Sequence, residues 1–429
     1  MNITQFSIEE VRCFAERQNL EIRPLTFLVG ENSTGKSTTL GCFQALADYL
    51  NLENRGIDFN RAPYAMGIFR NIVRNSRKKD KVFKLGFTFR GGKEDVEWVV
   101  EFAEKTRGFE PSINSLTVKF SDGEIVVKTV DGEEGDIRVV CFDEANNQYN
   151  LAYGSDWLNN LSPLFFLYFR SAEQSEGEKA LARYLERKRV LLSLPIHTTV
   201  FSSGPIQSRP QRTFDPTRIF DDPEGSDMPM YLMQVQANDP ETWGDLKEEL
   251  VEFGKCSGIF ENIEIKNLAS PGGPFQLIVK VRGHSSRIVD VGYGVSQILP
   301  ILVQILDPPV SRHGKGAKRV SFLLQQPEVH LHPRAQAEFS TLMATLAAQR
   351  GRSFLVETHS DYMIDRARIE IRKGTIRPDD VSLIYLEPKG RVVKVHNIRF
   401  DEMANMIGVP KHYGEFFLKE TDRLMGFED

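Results

Sequence analysis

The chain carries, at residues 25–37, the sequence LTFLVGENSTGKS. The last eight residues of this stretch fit the phosphate-loop pattern GxxxxGK[ST], and an apolar strand runs directly into them. Strand, glycine-rich loop and helix, in this order, are what a phosphate-binding loop requires. The sequence therefore predicts that this chain binds a nucleoside triphosphate. The helix that follows carries apolar residues on one face at Leu40, Phe43, Leu46 and Leu50.

Each residue type in the loop has a function in phosphate binding. Gly30 and Gly35 let backbone N–H groups wrap a phosphate chain, Lys36 reaches the outer phosphates, and the Ser37 hydroxyl is a ligand for Mg²⁺. The predicted cofactors are ATP and Mg²⁺. The predicted nucleotide contacts in this part of the chain are Gly30, Asn32, Ser33, Thr34, Gly35, Lys36, Ser37 and Thr38.

Composition limits the class of protein. With 429 residues, 41% of them hydrophobic and 26% charged, the chain can bury a large core in one multi-lobed domain or two. No apolar run approaches the roughly 20 residues that span a bilayer, and the amino terminus lacks the features of a signal peptide, so we expect a cytoplasmic protein with no membrane partner. A net charge of −5 argues against a surface coated with nucleic-acid-binding charge. The scattered cysteines, which we expect to be reduced and mostly buried, are Cys13, Cys42, Cys141 and Cys256.

Hydrophobic patterning predicts an α/β fold with a β-rich insert. Strands are expected at residues 3–14 and 20–29, and alternating runs between residues 81 and 142 are separated by Gly-Gly and Asp-Gly turns, which is typical of an antiparallel meander. Helices are expected at 177–194 and 242–253, and a loop at 202–226. The last third alternates strands with helices, which indicates α/β architecture, the strands being expected at 275–281, 319–324, 353–357 and 382–386.

A second motif, DVGYGVSQ at residues 290–297, stands at a helix start. Two glycines, a serine and the free N–H groups of a first helical turn form an anion site, with Gly294 and Ser296 as its candidate residues. The alternative is an ordinary glycine-rich helix cap.

Two further motifs end apolar strands. VSFLLQQPE, at residues 320–328, places Gln325 and Gln326 where a Mg²⁺ partner and a water-polarising group normally stand. FLVETHS, at residues 354–360, delivers His359 at a strand's carboxyl end, where it can sense a γ-phosphate, although a lone histidine is usually structural. The candidate catalytic residues are Gln325, Gln326 and His359, and the candidate metal ligands are Ser37 and Gln325.

Together these motifs resemble the ABC-type ATPases of the SMC, RecF and OLD group. The opening LEIRPLTFLVGENSTGKST resembles the family's Walker A region, DVGYGVSQILPIL its signature, LLQQPEVHLHPRAQAE its Walker B and D-loop, and VETHSDYMIDRARI its histidine switch. More narrowly, the stretches SSGPIQSRPQRTFDP, IRPDDVSLIYLEPKG and GVPKHYGEFFLKETDRL resemble the stand-alone OLD-like AAA ATPases of prokaryotes, which lack the nuclease domain.

This resemblance implies an ABC-type, SMC/RecF-like P-loop ATPase head with an antiparallel β insert and a helical lobe. It implies a homodimer around two ATP molecules, in which Gly294 and Ser296 contact the partner's γ-phosphate and His359 is the switch. It also implies an effector protein, a nuclease or toxin encoded nearby, and a role in prokaryotic anti-phage defence. The expected segments are an amino-terminal core part at 1–60, a β-rich insert at 61–160, a helical and loop lobe at 161–290, the main core at 291–388 and a short carboxyl-terminal segment at 389–429.

The chain departs from the family at the Walker B motif. Where the family has Glu-Glu or Glu-Gln before Pro-Glu, this chain has Gln325 and Gln326, and glutamine cannot act as a base or offer a full negative charge to Mg²⁺. We therefore expect slow hydrolysis with ATP binding retained. Two explanations stay open: a natively slow switch, or a glutamate replaced by glutamine at position 325 to trap the ATP-bound dimer. Glu328, expected at the D-loop entry, and Glu357 are the alternative carboxylates.

Parts of the sequence also fit other functions. A RecF-type DNA repair or maintenance ATPase would bind DNA directly, through basic clusters that are otherwise ordinary solvated faces. An ATP-binding transporter subunit is disfavoured because the signature is not the transporters' Leu-Ser-Gly-Gly-Gln. A metal site at His330 and His332, placed on one face of a strand, lacks a third ligand cluster. The basic clusters are Arg70, Arg74, Arg77, Lys78, Lys79 and Lys81, and Arg183, Arg187, Lys188 and Arg189.

Overall fold

The structure is a computed structural model. It describes residues 3–50, 57–76, 78, 81–91, 94–104, 109–129, 137–142, 148–153, 198–215, 222–268, 273–308, 319–411 and 413. The helix expected at 177–194, the second basic cluster, and Arg77 and Lys79 of the first lie outside these residues, as does most of the ending GVPKHYGEFFLKETDRL.

The described strands are β1 (Ile3–Glu9), β2 (Gln18–Glu21), β3 (Leu25–Gly30), β4 (Val82–Gly91), β5 (Glu94–Glu104), β6 (Pro111–Phe120), β7 (Gly123–Thr129), β8 (Ile137–Phe142), β9 (Gln148–Tyr153), β10 (Thr198–Ser203), β11 (Asn262–Asn267), β12 (Phe275–Val281), β13 (His284–Arg287), β14 (Arg319–Gln325), β15 (Ser353–Glu357), β16 (Val381–Lys389), β17 (Val392–Phe400) and β18 (Met406–Ile407). The described helices are α1 (Lys36–Leu50), α2 (Phe69–Ile72), α3 (Met228–Asn238), α4 (Pro240–Ser257), α5 (Tyr293–Leu306), α6 (Pro333–Gln349) and α7 (Asp361–Arg372). Short 3₁₀ turns stand at Ile288–Asp290 and Pro378–Asp380.

A seven-stranded sheet forms the centre, in the order β10-β14-β15-β3-β16-β17-β18. Its first five strands run parallel, and β17 and β18 add antiparallel strands at one side. Every residue of β15 is buried, as expected for a parallel strand covered on both faces. Because parallel strands end at the same edge of a sheet, the polar residues that follow β3, β14 and β15 come together there.

An eight-stranded antiparallel sheet, in the order β2-β1-β4-β5-β6-β7-β8-β9, forms the β-rich insert. In β5 buried residues alternate with half-buried ones over much of the strand, the pattern of a sheet with one face on a core. Helix α1 packs on this sheet through Phe43, whose ring lies 5.4 Å from that of Phe6 and 4.7 Å from that of Phe87. The helix that follows the phosphate loop is therefore anchored in the core of the insert.

The helical side is built from α3 and α4, which lead to α5 through a small sheet in the order β11-β12-β13. Helix α4 begins where the Asp239 side chain accepts a hydrogen bond from the Thr242 N–H, and it ends at Gly258 with φ of 75°. Its buried face includes Phe253, whose ring lies 6.4 Å from that of Phe339 on α6. This contact joins the helical side to the central sheet's helices.

The predicted α/β fold class with an antiparallel β insert is confirmed, and it is the architecture implied by the resemblance to ABC-type heads. Several local predictions differ from the structure. The strand expected at 20–29 is two strands, because Pro24 interrupts it and β2 and β3 join different sheets. The loop expected at 202–226 begins inside β10, and β17 extends the central sheet beyond residue 389. Among the described helices, none is long and apolar enough to cross a membrane.

Candidate ATP site

The phosphate loop lies between β3 and α1 and needs glycine at both ends. Gly30 has φ of +150° and Gly35 has φ of +92°, conformations that side chains rarely adopt. A Cβ on Gly30 would stand 2.7 Å from the Leu386 carbonyl oxygen, and one on Gly35 would stand 2.7 Å from Cys13 Sγ and 2.9 Å from the Phe14 ring. The residues packed against the loop therefore leave no room for a side chain at either glycine.

Gly35→Ala should weaken both folding and nucleotide binding. The left-handed backbone alone costs an alanine about 1–3 kcal/mol, and the contacts with Cys13 and Phe14 add to that. We expect a lower free energy of unfolding by chemical denaturation, and weaker ATP binding by calorimetry. The matched control is Gly244→Ala, in open space on helix α4, where alanine should be neutral or stabilising. Parent-like stability and ATP affinity for Gly35→Ala would contradict this description of the loop.

The Lys36 ammonium closes the loop from within. Its Nζ donates to the carbonyl oxygens of Gly30, at 2.9 Å, and Glu31, at 2.7 Å. Burial lowers the pKa of Lys36, against the opposing charges of Glu357 and Glu31. A cation with only backbone oxygens as hydrogen-bond partners is well suited to receive phosphate oxygens.

Other predicted loop residues divide into two groups. Asn32 and Ser33 are exposed on the loop, with Ser33 in a left-handed conformation at φ of 64°. Thr34 and Thr38 instead hold the loop in place: Thr34 Oγ1 donates to the Glu31 carbonyl at 2.8 Å, and Thr38 Oγ1 accepts from Arg12 Nη1 at 2.8 Å. The hydroxyls of both threonines are thus engaged within the chain.

Ser37 and Gln325, the predicted metal ligands, are brought together by a residue between them. The Ser37 hydroxyl donates to Glu357 Oε2 at 2.9 Å. Gln325 lies directly across from Glu357 in the β14–β15 register, and its side chain hydrogen-bonds to the same carboxylate. Burial raises the pKa of Glu357, while the Ser37 hydrogen bond, the Lys36 charge and the Gln325 hydrogen bond oppose the rise.

Sequence reasoning named Glu357 only as an alternative to the glutamines. The sequence signal for it is its position as the last residue of a predicted strand, and the structure adds that this strand is adjacent to β3. Such a residue shares the sheet edge with the phosphate loop.

Gln326 turns the chain sharply away from the sheet. Its φ of 42° is left-handed, a strained conformation for a non-glycine residue, and its N–H donates to the Glu357 carbonyl oxygen at 2.8 Å. The residue thereby lies at the start of an open groove of about 630 Å³, whose lining includes Gln326, Glu328, His330, Gln336 and His359.

Glu328 contacts the histidine-switch region rather than the phosphate loop. Its Oε1 accepts from the His359 backbone N–H at 2.7 Å, while its buried Oε2 has no hydrogen-bond partner within 3.5 Å among the residues that the structure describes. Burial raises the pKa of this carboxyl. Of the described hydrogen bonds, none joins Glu328 to Ser37, so Glu328 is connected to the switch and not to the predicted metal ligand.

His359 follows β15 and is exposed at the groove. Partial desolvation lowers the pKa of its imidazole, and the positive charge of Lys36 lowers it further. Both effects favour the neutral ring, which can donate or accept a hydrogen bond at a phosphate oxygen. Ser360, the next residue, caps α7 by accepting from the Met363 N–H at 3.2 Å.

Gly294 and Ser296 lie in the first turns of α5, beside the groove. The Ser296 hydroxyl donates to the Tyr293 carbonyl at 2.9 Å, and a Cβ on Gly294 would stand 2.7 Å from the His330 carbonyl oxygen. Neither residue hydrogen-bonds to the phosphate loop in the described part of the chain.

The fold thus brings Lys36, Ser37, Gln325 and His359 to one edge of the central sheet. In the described part of the chain, the signature residues Gly294 and Ser296 have no hydrogen bond to the phosphate loop.

The histidine pair has local packing roles. His330, which the disfavoured metal interpretation would place in a strand, is in a turn with φ of 67°, and its ring lies 4.7 Å from that of Tyr293. His332 Nδ1 accepts from the Arg334 N–H at 3.3 Å and caps α6. Within the described ranges, no group of three or more histidine, cysteine or acidic residues is arranged to hold a metal ion. The expectation that the cysteines are mostly buried holds for Cys42, whereas Cys13 is half-buried and Cys256 is exposed. The side chain of Cys141 lies outside the described part of the chain.

One part of the chain matches a known family. Residues 228–364 match the family model described as the AAA ATPase domain. The match covers the signature, the strand ending in Gln325 and the edge that carries His359, but less than half of the 429-residue chain. No curated protein matches the chain.

Solved structures with some likeness to the chain are SMC heads. One is an SMC head bound to the C-winged helix domain of ScpA, 13% identical, with a TM-score of 0.41 over 94% of this chain and 99% of that one. An SMC head domain from Thermotoga maritima is 10% identical, with a TM-score of 0.33 over 92% and 98%. A third, with an extended coiled coil and bound to the C-terminal domain of ScpA from Pyrococcus furiosus, is 12% identical, with a TM-score of 0.41 over 98% and 99%.

Proposed function

We propose that this chain is an ATP-binding, dimerising ABC-type ATPase of the OLD-like group that acts as a nucleotide-gated switch for a partner effector. The observation that carries the proposal is the single sheet edge at which Lys36, Ser37, Gln325, Glu357 and His359 converge. It holds a phosphate loop, a hydroxyl beside a carboxylate and a histidine, the groups that phosphoryl transfer uses. The match of residues 228–364 to an ATPase domain supports it independently of the loop.

The residues present fit ATP and Mg²⁺. At Gly30 and Gly35 neighbouring atoms leave no room for a Cβ, so the loop presents its bare backbone to a phosphate. Lys36, in the same loop, supplies a buried cation. Ser37 Oγ, the Glu357 carboxylate and the Gln325 amide oxygen are hard oxygen donors of the kind that Mg²⁺ binds. When bound, the metal would neutralise charge on the phosphates. The chain's own residues position the nucleotide and limit hydrolysis, since Gln325 and Gln326 carry no charge.

Dimerisation is proposed because the signature is not joined to its own phosphate loop. Gly292 and Tyr293 are exposed at the first turn of α5, where N–H groups remain free to meet an anion. A second copy presenting its loop to this helix end would complete two ATP sites at once, as an isologous pair. ATP would then hold the two copies together.

The effector and its setting rest on the sequence resemblance. The proposed partner is a nuclease or toxin encoded nearby, and the proposed role is prokaryotic anti-phage defence. The RecF-type alternative needs an available basic surface, and part of the first cluster is neutralised: Arg70 pairs with Glu104 at 2.8 Å, and Lys78 pairs with Glu10. Tight, salt-sensitive DNA binding by the isolated chain would favour the alternative.

Lys36→Ala should weaken ATP binding by about 1.5–3 kcal/mol, because it removes a charge-assisted contact to the outer phosphates. This corresponds to roughly a 10- to 100-fold rise in Kd by calorimetry. The control is Lys373→Ala, which removes an exposed lysine that pairs with Glu370 at 3.0 Å on the far end of α7. Equal ATP affinity in Lys36→Ala and the parent would overturn the assignment of the loop.

A further inference from the structure

We propose that Glu357, rather than Gln325 or Gln326, supplies the negative charge that holds Mg²⁺ at Ser37. The inference rests on the proposed function, since the metal accompanies the nucleotide. It assigns a ligand role to the last residue of β15, which lies two residues before His359.

The geometry places the Glu357 carboxylate on the hydroxyl that the loop offers to a metal. Ser37 Oγ and Glu357 Oε2 are 2.9 Å apart, and Ser37 stands in the first turn of α1. Two oxygens at this separation can bind one cation together, because Mg²⁺ bridges neighbouring carboxylate and hydroxyl oxygens. Gln325 approaches the same carboxylate from the adjacent strand, and its side-chain amide N–H donates to that carboxylate.

Charge makes Glu357 the stronger ligand. Gln325 and Gln326 are neutral, and among the described hydrogen bonds Glu357 is the only carboxylate joined to a side chain of the phosphate loop. Glu357 is only 4% exposed. A buried carboxylate needs a cation nearby. Lys36 provides positive charge while its Nζ contacts the loop carbonyls. Once phosphates engage Lys36, Mg²⁺ can compensate the Glu357 charge.

A purely structural role for Glu357 is the competing interpretation. In that case the carboxylate only ties the start of α1 to the end of β15, and its charge is irrelevant to metal binding. The two roles differ in a measurable way, because glutamine at position 357 can still accept the Ser37 hydrogen bond but cannot supply the negative charge of a metal ligand. Glu357→Gln keeps the shape and an acceptor oxygen for Ser37 and removes the charge.

The experiment uses the full chain and two readouts. Calorimetry measures ATP affinity in EDTA, and electron paramagnetic resonance titrates Mn²⁺ as the metal probe in the presence of ATP. For Glu357→Gln we expect Mn²⁺ affinity to fall by at least about 10-fold, since even indirect partners of a metal ligand are worth that much. Metal-free ATP affinity should stay the same or rise, because a negative charge near the phosphates is gone.

The matched control is Glu370→Gln, another buried carboxylate that accepts from hydroxyls, here those of Thr341 at 3.1 Å and Thr375 at 2.7 Å. It should leave both constants unchanged. If Glu357→Gln fails to fold, Glu357→Asp carries the test: it keeps the charge but shortens its reach, and we expect weaker Mn²⁺ binding with ATP binding in EDTA retained. Parent-like Mn²⁺ affinity in the folded variant overturns the inference. Loss of ATP binding by the parent itself would instead overturn the proposed function.

Discussion

Gln325→Glu should raise the steady-state rate of ATP hydrolysis by at least about 10-fold, since one well-placed acid–base group is worth ~10²–10⁴. Gln325 is buried at the end of β14, directly across from Glu357 and at the sheet edge that carries the Ser37 hydroxyl. An amide there neither accepts a proton nor attracts Mg²⁺ strongly. A glutamate would add a second carboxylate beside Glu357, at the position where the family resemblance implies a glutamate.

Phosphate release assays on five proteins make this prediction decisive. They are the parent, Gln325→Glu, the double variant with Gln326→Glu, Glu328→Gln, and the control Gln349→Glu, which adds the same charge as Gln325→Glu at the exposed end of α6. The control should match the parent. The prediction would be contradicted if the parent hydrolysed ATP fast, neither Gln→Glu variant changed the rate, and Glu328→Gln abolished it. The catalytic residues would then lie in the groove around Glu328.

Gly292→Glu should abolish the ATP-dependent increase in mass while leaving the fold intact. Gly292 is exposed at the N-cap of α5 with φ of −57°, and nothing lies within 4 Å of a Cβ built on it. A glutamate therefore fits within its own chain, and its charge suits a helix amino terminus. In the proposed dimer the same side chain would meet the partner's ATP phosphates, with like charges opposed in a desolvated interface.

Light scattering with and without Mg·ATP measures this effect. Ser296 is a poorer position for such a probe, because it is buried within its own chain and a large side chain there would disturb α5 itself. The control is Gly244→Glu, also exposed and in open space but on α4. The signature has no role in assembly if Gly292→Glu and Gly244→Glu show the same ATP-induced change in mass as the parent.

Local patterning was sufficient for the architecture. The phosphate loop with its flanking strand and helix, the alternating strands of the insert and the last-third strands could all be predicted, because apolar spacing and turn residues act over a few positions. The predictions that failed depended on pairing between strands that are distant in the sequence. The residues of β2 continue almost directly into β3, yet β2 pairs with β1 in the antiparallel sheet whereas β3 lies between β15 and β16.

The same limit applies to the site. The motifs pointed to Lys36, Ser37, Gln325 and His359 because each residue type has its own chemistry at a strand end or loop. Glu357 was named only as an alternative carboxylate, because its hydrogen bond to Ser37 joins residues 320 positions apart in the sequence. Only the adjacency of β15 and β3 reveals that relation, and adjacency in a parallel sheet is set by the packing of whole units.

Mixing two inactive variants tests most directly the central claim, that ATP is bound between the loop of one copy and the signature of another. At an ATP concentration near the parent's Kd, the weakened loop of Lys36→Ala stays largely empty, and Gly292→Glu has a blocked signature. Each alone should show no ATP-dependent increase in mass by light scattering. Their equimolar mixture can form a pair with one complete site, made from the loop of the Gly292→Glu chain and the signature of the Lys36→Ala chain. We predict that Mg·ATP produces dimers in the mixture and in the parent only. A mixture that stays at the mass of its separate components, while the parent dimerises with ATP, would contradict the account.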